Sequence, residues 1–128
     1  KKLRIYSLPG AFTQVFTNLL MNSKIHGFPG EREGKVGISM HIEKSSLLIN
    51  FKDDGIGIPK ENLKKIFDPF FTTNRERGGS GLGLNVVYNI IVGKFKGTIR
   101  CESNPDEGTE FKINIPVEWE DGKWKTKE

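Results

Sequence analysis

The chain has 128 residues, 35% of them hydrophobic, with a single cysteine. That is enough for one domain with one core, and it excludes an internal disulfide or a cysteine-built metal centre. The formal net charge of +4 comes from basic residues scattered among acidic ones, so no nucleic-acid stripe forms and no nucleic-acid partner is expected. No apolar run is long enough to span a bilayer. Opening on Lys1-Lys2 with no leader pattern, the chain reads as a piece of a longer protein in a reducing, cytoplasmic setting. Membrane anchoring of the parent elsewhere stays open.

In chain order, residues 3–7 form a short strand candidate. Pro9 then opens a helix, where its missing N–H costs nothing, running over about 11–26 to the breaker Gly27-Phe28-Pro29-Gly30. Val36, Ile38, Met40 and Ile42 alternate with small or polar residues, as do Leu47, Ile49 and Phe51. This predicts an antiparallel pair with one buried face. Asp53-Asp54-Gly55-Ile56-Gly57 is a turn, followed by a short helix over 60–67 and a long loop over 68–80. A second major helix is expected over 82–95 and two more strands over 98–103 and 109–116, with Cys101 buried in the first. The charged tail from Trp119 is expected to be loosely ordered, placing the domain at 1–118 and the tail at 119–128. Mixed elements without strict alternation predict an α+β fold: a two-layer sandwich whose mixed, mostly antiparallel sheet is backed by helices on one face.

Several segments can carry chemistry. Gln14, Asn18, Asn22 and His26 are four apart and share one side of the first helix, opposite Phe12, Val15, Phe16, Leu19 and Leu20. Asparagine is a poor helix former, so this ridge is either an idle polar face or a set of ligands, an Asn carbonyl oxygen suiting Mg²⁺. Strand parity turns Asp53 inward with Leu47, Ile49 and Phe51. A buried carboxylate needs a partner, which an adenine amino group or a simple turn cap can supply. Thr109 follows Phe111 and Ile113 inward, as a ligand contact or a satisfied core hydroxyl. Residues 68–80 include two aromatics, Phe70 and Phe71, and read as a lid or a plain surface loop. Gly78-Gly79-Ser80-Gly81-Leu82-Gly83-Leu84 places four glycines just before a helix. Such a run cradles a phosphate or makes an ordinary turn. No histidine-metal cluster or nucleophilic triad is evident.

Taken in order, these segments resemble the ATP-binding domain of the histidine kinase, gyrase, heat-shock chaperone and mismatch-repair superfamily (the Bergerat-type fold). Gln14-Val15-Phe16-Thr17-Asn18-Leu19-Leu20-Met21-Asn22-Ser23 is similar to its N box, and Asp53-Asp54-Gly55-Ile56-Gly57-Ile58 to its first glycine box. Phe67-Asp68-Pro69-Phe70-Phe71-Thr72-Thr73 resembles the F box of histidine kinases. Gly79-Ser80-Gly81-Leu82-Gly83-Leu84 resembles the second glycine box, and Gly108-Thr109-Glu110-Phe111 the final Gly-Thr element.

The resemblance implies a Mg·ATP site. Asn22 matches the Mg²⁺ ligand, and Asn18 and His26 match positions on the phosphate and ribose side. Asp53 matches the carboxylate that reads the adenine amino group, helped by Gly57 and Thr109, and Gly55 and Ile58 of the same glycine box fall among the ATP-binding residues. The lid side falls to Phe70, Phe71 and Thr72, and the phosphate cradle to Ser80, Gly81, Leu82, Gly83 and Leu84. The family often has a Lys three residues after the Mg²⁺ ligand, but Ile25 stands there, and the phosphate charge falls either to the shifted Lys24 or to the arginines Arg75 and Arg77. Asn74 stands where a basic residue often follows the F box, with Arg75 and Arg77 beyond.

Asn18 occupies the position at which hydrolytic members carry a Glu base, and an Asn cannot activate water. The resemblance therefore implies a sensor histidine kinase domain. It would pass the γ-phosphoryl of ATP to a histidine on a dimerisation domain of the same protein, with a response-regulator receiver downstream. A nucleotide-binding regulatory module without transfer, or a Ser/Thr kinase of the same fold, are the alternatives.

Overall fold

A computed structural model describes residues 3–28, 30, 33–71 and 83–127. The elements run β1 (Ile5–Tyr6), α1 (Pro9–Asn22), β2 (Val36–Glu43), β3 (Ser46–Asp53), α2 (Gly83–Tyr88), β4 (Thr98–Ser103), β5 (Thr109–Glu120) and β6 (Lys123–Thr126). Both helices widen into a π-helical turn at their C-terminal ends, Ser23–Gly27 and Asn89–Lys94. Lys60–Asn62 is a single 3₁₀ turn, so the helix expected over 60–67 shrinks to that turn and the bends after it.

The expected α+β sandwich is present. β5 pairs antiparallel with β3 and β4, and β3 with β2. Past Val117, β5 leaves those partners and forms a hairpin with β6, which pairs parallel with β1, making the sheet mixed. The change of partner falls at Pro116, which has no N–H to give a ladder.

The core lies between this sheet and the helices. β3 contributes Leu47, Ile49 and Phe51, and β5 contributes Phe111, Ile113, Ile115 and Val117, one face in strict alternation. Val15 and Leu19 from α1 and Val87, Ile90, Ile91 and Phe95 from the second helix close over them. Leu20, expected on the apolar side of α1, is exposed.

Two expectations are corrected. The β2 face is not buried: Val36, Ile38 and Met40 remain exposed, because the helices cover the central strands β3 and β5 while β2 ends the sheet. The tail from Trp119 is ordered. Asp121-Gly122 makes a two-residue turn with both φ positive (53° and 77°), the pairing that suits a tight hairpin. Across it the Trp119 and Trp124 rings meet edge-on with centroids 5.4 Å apart, and Lys123 sits 4.7 Å over the Tyr6 ring. Charge in the sequence concealed this aromatic pair.

Candidate nucleotide site

Asp53 ends β3 on the core-facing side, as strand parity required, and is only 2% exposed. Its carboxylate is met from two directions. Ser23 Oγ donates to Oδ2 at 2.7 Å, and the Gly55 backbone N–H donates to Oδ1 at 3.0 Å. Each oxygen retains accepting capacity for a further donor. The π-helical turn after α1 brings the chain here: Ile56 N–H bonds Gly27 O at 2.9 Å, stitching α1 to the turn that follows Asp53. The approach is close enough that a Cβ on Gly27 would lie 3.2 Å from Asp53 Oδ2, and one on Gly55 would collide with the Gly27 carbonyl.

The turn is pinned from the other side by β4. Ser103 Oγ accepts from Ile58 N–H at 2.8 Å, donates to Gly108 O at 2.7 Å and lies 3.1 Å from Thr109 Oγ1. Thr109 is the register partner of Asp53 across β3 and β5, and is buried beside it. Gly57 has φ +80°, and a Cβ there would strike Asn104 O; this backbone conformation belongs to glycine. Ser23 and Ser103 were missed by the sequence reading. Their only signal was position: Ser23 stands one turn after Leu19 on the buried side of the helix, and Ser103 at the inward end of a strand.

A cavity of about 250 Å³ opens between these pieces, lined by Asn22, His26, Ile56, Gly57, Ile58, Pro59, Asn62, Ile66, Phe71 and Leu84. It gathers expected site residues from α1, the first glycine turn, the F box and the start of α2. Asp53 and Thr109 are not among its lining residues. Asn18 points to the same end of α2, its Oδ1 being 3.9 Å from where a Gly83 Cβ would sit. Phe71 packs against the core, while Phe70 is exposed with φ +66°. Lys24 lies elsewhere, in a cleft with Leu20, Phe28, Gly34 and Val36. Thr72, Ser80, Gly81, Leu82, Asn74, Arg75 and Arg77 lie outside the described residues.

Behind the site, β4 sets Cys101 opposite Phe111. Burial, then the negative charges of Asp53 and Glu102, push its thiol up from 9.0 to about 12. No group of three or more His, Cys, Asp or Glu side chains placed for a metal occurs among the described residues, and none of their helices is long and apolar enough to cross a membrane.

A cavity between an asparagine-bearing helix, a glycine turn anchored on a buried Asp and a second helix start defines a nucleotide-binding α+β domain. The chain belongs to the histidine kinase-, DNA gyrase B- and HSP90-like ATPase family, whose model matches residues 8–118. It is 40% identical over 114 residues to sporulation kinase E of Bacillus subtilis, covering 88% of this chain and 15% of that protein. To sensor protein kinase WalK of Staphylococcus epidermidis it is 35% identical over 125 residues, covering 91% of this chain and 20% of the relative. The nucleotide-free catalytic domain of histidine kinase ThkA superposes with a TM-score of 0.73 at 32% identity, covering 89% of this chain and 72% of that one. The chain thus spans only a small part of the full-length relatives it matches and most of an isolated histidine kinase catalytic domain.

Proposed function

We propose that this domain binds Mg·ATP in the cavity beside Asn22 and passes the γ-phosphoryl to a histidine on a helical dimerisation domain of the same protein. A response-regulator receiver then takes the phosphoryl from that histidine. The observation that carries this reading is the meeting of Asn22, His26, Gly57, Ile58, Phe71 and Leu84 around one cavity. ATP is held on the cytoplasmic side of membranes, which sets the domain there.

The residues present fit a magnesium nucleotide. The Asn22 carboxamide supplies one hard oxygen at the cavity wall. No acidic cluster stands beside it among the described residues, so the cation's other ligands would fall to phosphate oxygens and water, the usual habit of Mg²⁺. Bound ATP supplies the phosphoryl group and Mg²⁺ the charge that neutralises it. Asp53, fixed by Ser23 and Gly55, is a preorganised acceptor for an exocyclic amine, and discriminates against a base presenting a carbonyl there. Gly57, with φ +80°, holds the turn that lines the cavity. Asn18 is placed near the start of α2 but has no basic atom to deprotonate water, so the acceptor must come from outside the cavity.

Calorimetric titration with Mg·ATP tests the first half. Saturable binding that falls about 10- to 100-fold in Asp53→Asn is expected, the worth of a hydrogen bond to a charged group. Binding indifferent to that substitution refutes the site. Joining the domain to its histidine-bearing partner and assaying acid-labile phosphohistidine tests the second half. Nucleotide binding with no such label would identify a regulatory module instead.

A further inference from the structure

Two edge strands of the sheet, β4 and β2, differ. β4 carries Arg100 and Glu102, 3.8 Å apart, with Lys112 of β5 3.2 Å from Glu102; charges on an edge strand discourage sideways pairing. β2 carries a charge only at its last residue, Glu43. Its register with β3 runs unbroken from Val36↔Asp53 to Glu43↔Ser46, with no bulge. Between Val36 and Ile42 it has no proline and no Lys, Arg, Asp or Glu. Its apolar stripe is open, with Val36 36%, Ile38 44% and Met40 47% exposed. Leu20 of α1, which shares a cleft with Val36, continues the stripe.

The backbone is open along the same line. Asp54 N–H donates to Lys35 O at 3.2 Å, so Lys35 turns its peptide groups toward β3. Alternation along an antiparallel ladder then turns the N–H and C=O groups of Val36, Ile38, Met40 and Ile42 outward.

This strand is self-complementary about Ser39. When two β2 strands pair antiparallel across a two-fold axis at Ser39, Ile38 faces Met40 of the second copy and Val36 faces Ile42. All four are residues whose backbone groups point outward. The same register sets Lys35 opposite Glu43, twice by symmetry. Moving the axis to Ile38 sets Glu43 against Glu33, and moving it to Met40 sets Lys44 against Val36. Only the Ser39 register aligns hydrogen bonds, apolar stripe and opposite charges together, which is the requirement for a two-fold interface built from one patch.

We propose that β2 is a homodimerisation edge, through which two copies of this chain join their sheets about Ser39. The partner is a second copy rather than a foreign strand because the charges that flank the apolar run match each other. The inference is independent of the nucleotide reading.

Light scattering coupled to gel filtration, over a concentration series of the full chain, reads it directly. The apparent mass is expected to approach double the monomer value as concentration rises. Met40→Lys, at an exposed site, should hold the chain at monomer mass with an unchanged circular dichroism spectrum. Lys35→Glu alone and Glu43→Lys alone should each be monomeric, since each sets like charges against each other. An equimolar mixture of those two variants should dimerise, because each then meets its opposite. The rescue cannot come from damage to the fold. A chain that stays monomeric throughout, a dimer that survives Met40→Lys, or a mixture that fails to reassociate overturns the proposal.

Discussion

Ser23 Oγ donates to Asp53 Oδ2 at 2.7 Å, joining the end of the first helix to the end of the third strand between two side chains that are both buried. The bond fixes the carboxylate, and no described residue forms an ion pair with it. Ser23→Ala leaves that oxygen short of a donor away from water, at a cost of about 1–3 kcal/mol. The expected result in urea denaturation is a lower midpoint with an unchanged slope. Mg·ATP affinity should fall as well, because Asp53 loses the contact that orients it.

Gly57 offers a purely conformational test. Its φ of +80° and the adjacent Asn104 carbonyl leave no place for a side chain. Gly57→Ala is expected to destabilise the domain by about 1–3 kcal/mol, lowering the melting temperature by roughly 3–5 °C per kcal/mol at this chain length. Gly10→Ala, where a Cβ meets nothing within 4 Å, should leave the melting temperature unlowered. Differential scanning calorimetry on the two variants makes the comparison.

What the sequence revealed depended on how local the signal was. Strand parity correctly turned Asp53 and Thr109 inward, since one strand settles which face a residue takes. Helical spacing grouped Asn18, Asn22 and His26, and Asn22 and His26 do line one cavity. Parity could not tell that β2's apolar face stays open, because burial depends on which strands the helices cover. Ser23 and Ser103 escaped notice because a lone serine has no pattern; each gained its role from a partner 30 or 5 residues away. The tail was misread because charge outweighed its Asp121-Gly122 turn. Lys24 was grouped with the phosphates by resemblance; two residues past Asn22, it lines a different cleft.

Cys101 gives a pH prediction. Burial first, and then the charges of Asp53 and Glu102, raise its thiol from 9.0 to about 12. The folded state therefore holds the proton more tightly than the unfolded state. That contribution to stability is complete below pH 9 and is lost as pH rises through 12. Chemical denaturation should show stability declining across this alkaline window, less steeply in Cys101→Ala. At pH 8 iodoacetamide should leave the native thiol unmodified and label it on unfolding, because the thiolate is the reacting form.

Asn22 separates metal coordination from simple packing. It follows Asn18 by one turn and reaches the cavity wall with a neutral amide, so it can hold a cation without building up negative charge beside phosphates. Asn22→Ala should weaken binding of ATP in the presence of Mg²⁺ by about tenfold, roughly the 1.4 kcal/mol of one lost ligand contact. The same variant in EDTA should bind as the parent does, since the contact is then absent from both. Calorimetry in the two buffers decides the point. An equal loss with and without the metal would mean that Asn22 shapes the cavity rather than holding the ion.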